Sequence, residues 1–270
     1  MRDNISISVI IPTCNRRKSL LRLLKSLTES EYPILEVIII DAGDELLSDE
    51  ELSAFSNLVI LYFQSERSVC IQRNLGIQKA KGEWVFLCDD DLEVPSTYLT
   101  LLVSHIQQID TTGAISGLVL QMEDKQWKEQ YPITSPAKLI WNFVFQLSIW
   151  GEIRCKGNNI VIKRIKQYYE AKGNHLSKAG WPVLTNFQGD YFKTPVYGLG
   201  ASLVRKDWLI KSPYDEVLDA NGIGDNFGVA AGFPDEGIHV LNNAFVYHHR
   251  ELSNRPLNAT RYLKRVLALD

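Results

Sequence analysis

Short apolar runs alternate with segments of helical periodicity along the first 120 residues. Residues 5–11 form a continuous β-branched run ahead of Pro12, a pattern typical of a strand buried on both faces in a parallel sheet. Over residues 17–29, leucines recur at helical spacing between Arg and Lys side chains, which predicts an amphipathic helix. This unit of one strand followed by one helix then repeats. Further patterns predict strands at 35–41, 58–63, 84–88 and 114–120, and helices near Glu50, at 69–79 and from Pro95 to about 109.

Alternating strands and helices predict an α/β fold, with a mostly parallel sheet covered by helices on both faces. Ligands bind to such sheets outside the carboxyl ends of the strands. Polar residues follow three of the predicted strands: residues 12–16 follow the first, Asp41 ends the second, and residues 89–91 follow the fourth. We therefore expect these residues to share one rim of the sheet. The acidic stretch 44–51 is predicted to be a solvated loop and a helix start, with Ser48 and Glu51 as a capping box.

The regular alternation stops after residue 120. Residues 121–193, called the insertion below, are rich in aromatic side chains and are punctuated by Gly and Pro. This composition predicts an inserted segment or a lid. Strand patterns return at 199–204 and 238–247, on either side of a glycine-rich stretch at 222–232. The expected architecture is one large domain with an aromatic-rich insertion.

Charge and cysteine content narrow the choice of function. The 29 Lys and Arg residues stand against 32 Asp and Glu residues, so the net charge of −3 provides no global basic field for nucleic acid. The four cysteines are widely spaced, which predicts neither a disulfide framework nor a zinc site. We find no secretory signal pattern and no run of 18 apolar residues, so a cytoplasmic location is expected.

An acidic triplet follows the fourth predicted strand. If the chain stays extended there, Asp89 and Asp91 point to one side and Asp90 to the other, which places two carboxylates together. A divalent cation such as Mg²⁺ or Mn²⁺ relieves their repulsion and commonly bridges carboxylates to substrate phosphates. The triplet therefore predicts a metal site for a diphosphate. The alternative is a solvated acidic turn that caps the helix after Pro95.

Several spaced motifs resemble the family 2 glycosyltransferases of the GT-A (Rossmann-like) fold. Over residues 5–120 the matching positions are Pro12, Thr13, Asn15, Arg16, Asp41, Arg73, Asn74, Gly76, Gly82 and the triplet 89–91. The later segments 197–206, 214–216, 224–227 and 246–248 are similar more loosely. The resemblance implies that residues 1–120 form the donor-binding half of the domain. Residues 121–270 would then hold the insertion and the acceptor-binding half.

The same resemblance implies transfer of a sugar, with inversion, from a nucleoside diphosphate sugar to a saccharide or lipid-linked saccharide in polysaccharide synthesis. UDP is the expected nucleotide, with dTDP and GDP as alternatives. Asp89, Asp91 and His248 would hold Mn²⁺ or Mg²⁺, which neutralises the leaving diphosphate. The expected donor-binding residues are Pro12, Thr13, Asn15, Arg16, Asp41, Arg73, Asn74, Asp89 and Asp90. Among them, Asp41 would accept from the nucleobase or ribose, and Arg73 would reach the base or a phosphate.

An inverting transfer needs a base that takes the proton of the acceptor hydroxyl. In the family this base is the Asp of a Glu-Asp pair that opens a helix, and the matching residue here is Asp225. The preceding residue is Gly224 rather than Glu, so an alternative is that Asp225 only caps the helix, with Asp235 and Glu236 as further candidates. For the metal, His249 stands beside His248 as the alternative ligand.

Other functions remain open at this point. A sugar-nucleotide nucleotidyltransferase has a similar sheet but normally needs a glycine-rich loop after the first strand, and residues 13–16 contain no glycine. A non-catalytic nucleotide- or carbohydrate-binding domain could keep the same scaffold, and the missing Glu before Asp225 favours it. The apolar run 139–150, followed by basic residues, predicts either a membrane-surface segment or a buried core or oligomer helix.

Overall fold

The computed structural model describes residues 5–109, 112–157, 159–216, 226–234 and 237–249, with the side chains of Asn226 and Phe227 outside that description. The strands are β1 Ile7–Thr13, β2 Glu36–Asp41, β3 Ile60–Gln64, β4 Trp84–Cys88, β5 Leu92–Glu93, β6 Ala114–Glu123, β7 Gln126–Lys128, β8 Ile149–Trp150, β9 His175–Leu176, β10 Pro182–Leu184, β11 Tyr191–Thr194, β12 Ala201–Arg205 and β13 Ile238–His248. The helices are α1 Arg17–Thr28, α2 Asp49–Ser53, α3 Val69–Lys79, α4 Tyr98–Gln108, α5 Pro136–Val144, α6 Ile160–Lys172, α7 Lys206–Lys211 and α8 Asn226–Ala231.

The central sheet is mixed and mostly parallel, as predicted. Its strand order is β11-β13-β6-β12-β4-β1-β2-β3, with β5 paired to β13 and β7 paired to β6. Strands β4, β1, β2 and β3 run parallel to one another. Strand β12 runs antiparallel between β4 and β6, and β13 is parallel to β6. The predicted α/β class with a mostly parallel sheet is therefore confirmed.

Two apolar layers cover the sheet, one on each face. In β1 the side chains of Val9 and Ile11 join the core that holds the leucines of α1, whereas Ile10 faces the core beneath α3. Gly76 lets α3 approach closely, because a Cβ at this position would lie 2.4 Å from Ile10 Cγ2. Because side chains alternate along a strand and each face of β1 meets a core, Val9, Ile10 and Ile11 are apolar at successive positions.

The prediction that Pro12 ends the first strand is wrong. The pairing of β1 with β4 runs from Ile7–Trp84 to Ile10–Leu87, whereas its pairing with β2 continues to Thr13–Asp41. Pro12 lies beyond the β4 pairing, where a residue without an N–H group is tolerated in a strand. The strand therefore carries Thr13 as far along the rim as Asp41.

The insertion folds into regular elements around a small core of its own. Helices α5 and α6 pack against each other, and β8, β10 and β9 form a three-stranded sheet. Leu139, Ile149 and Ile162 are among the buried residues of this core. The apolar run 139–150 is split between α5 and β8, so it is not one continuous helix. None of the described helices has the length and apolarity needed to cross a bilayer.

Candidate active site

Three strand ends meet at one rim of the sheet, as the sequence predicted. Thr13 and Asp41 are register partners at the ends of β1 and β2. The Thr13 hydroxyl donates a 2.7 Å hydrogen bond to Asp90 Oδ2, which connects β1 to the residues after β4. The buried Gln72 amide donates to the carbonyl oxygens of Thr13 and Ile40, at 2.8 and 2.6 Å. Gln72 was not predicted, and it fixes α3 to two strand ends beside the site.

A first cavity of about 320 Å³ lies over the ends of β1 and β2. It is lined by Thr13, Asn15, Arg16, Arg17, Leu20, Asp41, Asp44, Glu45 and Leu47. The buried Asp41 carboxylate accepts from the Gly43 N–H at 2.7 Å and from the Tyr62 hydroxyl. Burial, and then the bond to Asp41, raises the pKa of Tyr62, so Tyr62 remains a hydrogen-bond donor at neutral pH. Asp41 is therefore held rigidly at the base of this cavity.

Asn15 and Asp44 join the two loops that form the cavity wall. Asn15 adopts a left-handed backbone conformation with φ 55°, which asparagine tolerates better than most residues. Its amide donates to Asp44 Oδ2 at 3.0 Å, and the Asp44 N–H donates to Asn15 Oδ1 at 2.8 Å. The hydrogen bond from Asn15, then the contact with Arg67, lowers the pKa of Asp44. Asp44 lies in an exposed loop, as predicted for the stretch 44–51, and its hydrogen bonds with Asn15 also connect this loop to the one after β1.

A second cavity of about 500 Å³ adjoins the first and contains the acidic triplet. It is lined by Pro12, Thr13, Cys14, Asn15, Arg16, Arg67, Ser68, Val69, Gln72, Asp89, Asp90, Asp91 and His248. The two cavities share Thr13, Asn15 and Arg16. Together they form one cleft along the rim, with Asp41 at one end and the triplet at the other.

The triplet does not keep the extended geometry that would pair Asp89 with Asp91. The chain turns instead, and the Leu92 N–H donates to the Asp89 carbonyl at 3.3 Å. The guanidinium Nη1 of Arg16 lies 2.9 Å from Asp90 Oδ1 and 3.0 Å from Asp91 Oδ2. The turn therefore places Asp90 and Asp91 together on Arg16 and leaves Asp89 on its own side of the cleft.

Burial and ion pairing shift the pKa values of the Asp90 and Asp91 carboxyl groups in opposite directions. Burial raises the pKa of Asp90 to about 6, although Arg16 and the Thr13 hydroxyl favour its ionised form. Burial also tends to raise the pKa of Asp91, but the hydrogen bond and charge of His248, together with Arg16, outweigh it and lower that pKa. Asp91 is therefore the better anionic ligand of the pair near neutral pH.

The side chain of His248, rather than that of His249, approaches the triplet, although the His249 N–H donates to the Asp91 carbonyl at 2.9 Å. His248 Nε2, at the end of β13, lies 3.3 Å from Asp91 Oδ1. The His249 ring instead contacts Glu93 Oε2 at 2.8 Å and packs against Trp127. The choice between the two histidines is decided by strand alternation, since neighbouring side chains leave β13 on opposite faces.

The metal ligands expected from the sequence are only partly gathered. Among the described residues, no three His, Cys, Asp or Glu side chains lie close enough together to hold a metal ion. Asp91 and His248 are in contact, whereas Asp89 Oδ1 accepts from Arg73 Nη2 at 2.6 Å. Carboxylates suit Mg²⁺ and Mn²⁺, and neutral imidazole is a common metal ligand, so the donor types of Asp89, Asp91 and His248 fit a divalent metal.

Arg73 is a buried residue that contacts both the triplet and Tyr214. Its side chain is buried, and its guanidinium lies 5.1 Å from the centre of the Tyr214 ring in addition to its pairing with Asp89. Asn74, expected to bind the donor, instead donates to the Tyr214 carbonyl at 2.9 Å and accepts from the Tyr214 N–H at 3.0 Å. Asn74 therefore anchors the segment that positions Arg73 and does not line either cavity of the cleft.

Comparison with known protein families decides the family of this chain. The family model described as Glycosyl transferase family 2 matches residues 8–210, which is most of the chain. The chain belongs to glycosyl transferase family 2. Its cleft lies wholly on elements inside the matched region, apart from His248.

Relatives of this family 2 chain match it over part of its length. It is 33% identical over 117 residues to the putative colanic acid biosynthesis glycosyl transferase WcaA of Escherichia coli, covering 41% of each chain. It is 33% identical over 110 residues to the GalNAc(5)-diNAcBac-PP-undecaprenol beta-1,3-glucosyltransferase of Campylobacter jejuni, covering 38% of this chain and 35% of the relative. The chain thus matches about two fifths of the length of these relatives.

Solved structures share the fold over nearly the whole family 2 chain. S. aureus TarS 1-349 in complex with UDP-GlcNAc superposes with a TM-score of 0.60 at 16% identity, covering 98% of this chain and 65% of that one. Mannosyltransferase PcManGT from Pyrobaculum calidifontis, in complex with GDP-Man and Mn²⁺, gives a TM-score of 0.57 at 15% identity and covers 99% and 64%. At this level of identity the likeness establishes the fold.

A third cavity of about 240 Å³ opens on the other side of Asp89 in the family 2 chain. It is lined by Asp89, Leu92, Val119, Gln121, Tyr131, Trp150, Tyr197, Gly198, Gly200, Ala201 and His248. The Trp150 and Tyr197 rings pack with their centres 5.1 Å apart, and Trp150 and Tyr131 come from the insertion. Asp89 and His248 border both this cavity and the cleft. The candidate bases Asp225, Asp235 and Glu236 lie outside the described residues.

Proposed function

We propose that this chain is an inverting glycosyltransferase that moves a sugar from a nucleoside diphosphate sugar, with UDP as the nucleotide, to a saccharide or lipid-linked saccharide in polysaccharide synthesis. The observation that carries this proposal is the continuous cleft from Asp41 to the triplet, on the rim where parallel α/β sheets bind nucleotides. Family membership supports the reaction class. Solved neighbours that hold UDP-GlcNAc and GDP-Man support a nucleoside diphosphate sugar as the donor. We place the enzyme in the cytoplasm.

The nucleoside would occupy the first cavity. The Asp41 carboxylate, already fixed by Gly43 and Tyr62, presents acceptor capacity to a base imide or a ribose hydroxyl. Thr13 and Asn15 would line the base through their backbone. This assignment explains why the cavity wall is tied together by the reciprocal Asn15–Asp44 hydrogen bonds, since a preorganised pocket loses less entropy on binding.

The diphosphate would lie in the second cavity, beside Arg16. A guanidinium is a forked donor suited to phosphate oxygens, and Arg16 stands between the two cavities. Arg73 would act through Asp89, because its guanidinium pairs with that carboxylate. When bound, a divalent metal held by Asp91, His248 and Asp89 would supply Lewis-acid stabilisation of the leaving diphosphate.

The acceptor would enter the third cavity. Its aromatic wall of Tyr131, Trp150 and Tyr197 offers flat apolar faces of the kind that pack against sugar rings. Because Asp89 and His248 border both this cavity and the cleft, an acceptor hydroxyl there would face the anomeric carbon from the side opposite the diphosphate. We keep Asp225 as the proposed base that takes the hydroxyl proton.

Calorimetric titration tests the donor site directly. UDP, dTDP and GDP are each titrated into the chain with and without Mn²⁺, and we expect UDP to bind with a requirement for Mn²⁺. UDP-sugars are then incubated with the protein, and free UDP is measured over time. Release of UDP supports a transferase, whereas tight binding of the UDP-sugar without any release would support the non-catalytic binding domain. Failure of all three nucleotides to bind would contradict the proposed donor site.

A further inference from the structure

Helix α5 of the insertion presents a solvent-facing apolar surface. Trp141, Val144 and Phe145 are 58%, 61% and 52% exposed, and Ile140 is 38% exposed. The Trp141 and Phe145 rings pack on each other with centres 4.2 Å apart, so they form one aromatic knob. We call these four residues the α5 patch. Large apolar side chains grouped in this way on a surface mark a site of contact with a partner or a membrane.

The other face of α5 is already used for folding. Leu139 is fully buried in the core of the insertion, and Phe143 packs edge-on against Tyr168 and Tyr169 of α6. The helix therefore buries one apolar side and leaves another in solvent. The exposed side is apolar surface that packing within the insertion does not use. At the start of α6, Ile160 and Val161 are also exposed. The insertion thus carries exposed apolar groups on both of its helices.

The charge of this region has the opposite sign to that of the whole chain. Residues 136–172, from the start of α5 to the end of α6, contain seven Lys and Arg residues and two Asp and Glu residues, a net charge of +5. The full chain carries −3. Lys163 and Arg164 are exposed one turn after Ile160 and lie on the same side of α6 as that residue. The insertion therefore combines exposed Trp and Phe on α5 with exposed Lys and Arg on α6, a composition typical of surfaces that bind an anionic membrane interface.

We propose that the α5 patch and the start of α6 dock on an anionic lipid surface. Trp141 and Phe145 enter the interfacial layer, where aromatic rings are favoured, and the basic residues contact the headgroups. A second copy of the chain is the weaker choice of occupant, because two surfaces of the same positive charge repel each other. The inference goes beyond the proposed reaction, and it would bring the enzyme to the place where lipid-linked acceptors reside.

Vesicle co-sedimentation tests the proposal on the full chain, without nucleotide. The wild type is mixed with vesicles of phosphatidylglycerol and phosphatidylethanolamine, and in parallel with vesicles of phosphatidylcholine alone. The double variant Trp141→Ser/Phe145→Ser removes the aromatic knob. The matched control is Ile210→Ser, which removes an apolar side chain that is 60% exposed on α7, outside the insertion. Circular dichroism melts establish that both variants fold.

We expect the wild type and Ile210→Ser to sediment with the anionic vesicles, and the double variant to bind at least about tenfold more weakly. The charge reversal Lys163→Glu/Arg164→Glu is expected to weaken the same binding by about tenfold, and added salt should act in the same direction. Equal sedimentation of the folded double variant and the wild type would overturn the proposal. So would equal binding to phosphatidylcholine vesicles, or dimers in sedimentation velocity that the double variant abolishes.

The vesicle assay and the nucleotide titration test the docking proposal and the donor-site proposal separately. Trp141 and Phe145 line none of the three cavities described above, so we expect the double variant to bind UDP with the affinity of the wild type. Loss of vesicle binding with normal UDP binding supports membrane docking by the α5 patch. Absence of vesicle binding by the wild type overturns the docking proposal and leaves the donor site standing.

Discussion

The Asp89 carboxylate lies directly against the backbone of Gly200. A Cβ built on Gly200 would be 2.0 Å from Asp89 Oδ2, and the Asp89 N–H donates to the Gly200 carbonyl at 2.8 Å. Gly200 precedes β12, which pairs antiparallel with β4. Because Gly200 has no side chain, it leaves the space that the Asp89 carboxylate occupies while it pairs with Arg73.

Gly200→Ala should displace Asp89 and weaken donor binding. The added methyl group cannot share the space of the carboxylate, so Asp89 must move away from Arg73. We expect Mn²⁺-dependent UDP affinity to fall by about tenfold, with a loss of roughly 1–3 kcal/mol in unfolding free energy from overpacking. Calorimetry and denaturant unfolding measure the two effects.

Gly198→Ala is the matched control for that substitution. In the described part of the chain, no atom lies within 4 Å of a Cβ built at Gly198. UDP binding by this variant should equal that of the wild type. If Gly200→Ala also binds UDP normally, the position of Asp89 is not needed for the donor.

Asp91→Ala should abolish the Mn²⁺ dependence of UDP binding. The substitution removes the carboxylate that contacts both Arg16 and His248, so these two side chains lose their shared partner. We expect residual UDP binding that no longer responds to Mn²⁺. Asp207→Ala is the control, because Asp207, in the first turn of α7, pairs with Arg205 on the surface. An unchanged Mn²⁺ titration for Asp91→Ala would remove Asp91 from the proposed ligand set.

Asp225→Asn should separate binding from catalysis. An amide keeps the shape of the carboxyl group but cannot take a proton from the acceptor hydroxyl. UDP-sugar affinity should stay at the wild-type value, whereas turnover should fall by a factor of about 10² or more. Normal turnover by this variant would shift the role of base to Asp235 or Glu236, which Asp235→Asn and Glu236→Gln would then test.

A buried histidine pair predicts loss of stability in acid. His239 Nδ1 lies 2.9 Å from His105 Nε2 and 3.1 Å from the Thr112 hydroxyl, and both rings are buried next to Tyr191. Burial, and then the charge of Lys193 and the neighbouring His105, lowers the pKa of His239 to about 4. Burial and Lys193 also lower the pKa of His105. Both rings are therefore neutral in the folded protein at pH 7.

The sign of this effect follows from proton uptake on unfolding. Below pH 6.5 the unfolded chain protonates histidines that the folded chain keeps neutral, so the stabilisation is complete above pH 6.5 and is lost as the pH falls towards 4. We expect His239 to account for up to about 2 kcal/mol of the stability lost between pH 7 and pH 5. Urea unfolding of the wild type and His239→Gln at both pH values measures it. The same pH dependence in both proteins would contradict the assignment.

Local patterns predicted the helices and strands of the first 120 residues closely. Helix α3 and strand β4 occupy the predicted residues, and α1 ends within one residue of the predicted end. The capping box of Ser48 and Glu51 is also present. These elements were predictable because each carries its own periodicity and end signals within a dozen residues. The resemblance that identified the family rests on the same short segments.

Contacts across long sequence separations were not predictable in this way. Arg16 meets Asp90 and Asp91 across about 75 positions, and Asn74 meets Tyr214 across 140. The turn at residues 89–92 was enough to make Asp90, rather than Asp89, share Arg16 with Asp91. In the insertion, much of the apolar pattern of α5 faces solvent, so its hydrophobicity did not reveal how the helix packs.

The sequence by itself determined the class of fold, the rim at which three polar strand ends meet and the family, because periodicity and strand-end residues are local properties of a chain. Tertiary structure decided which carboxylates share Arg16, which histidine reaches Asp91, and that Gly200 makes room for Asp89. Those choices depend on the direction of side chains and on close approach between distant segments. Both are set by packing of the whole sheet rather than by any one stretch of residues.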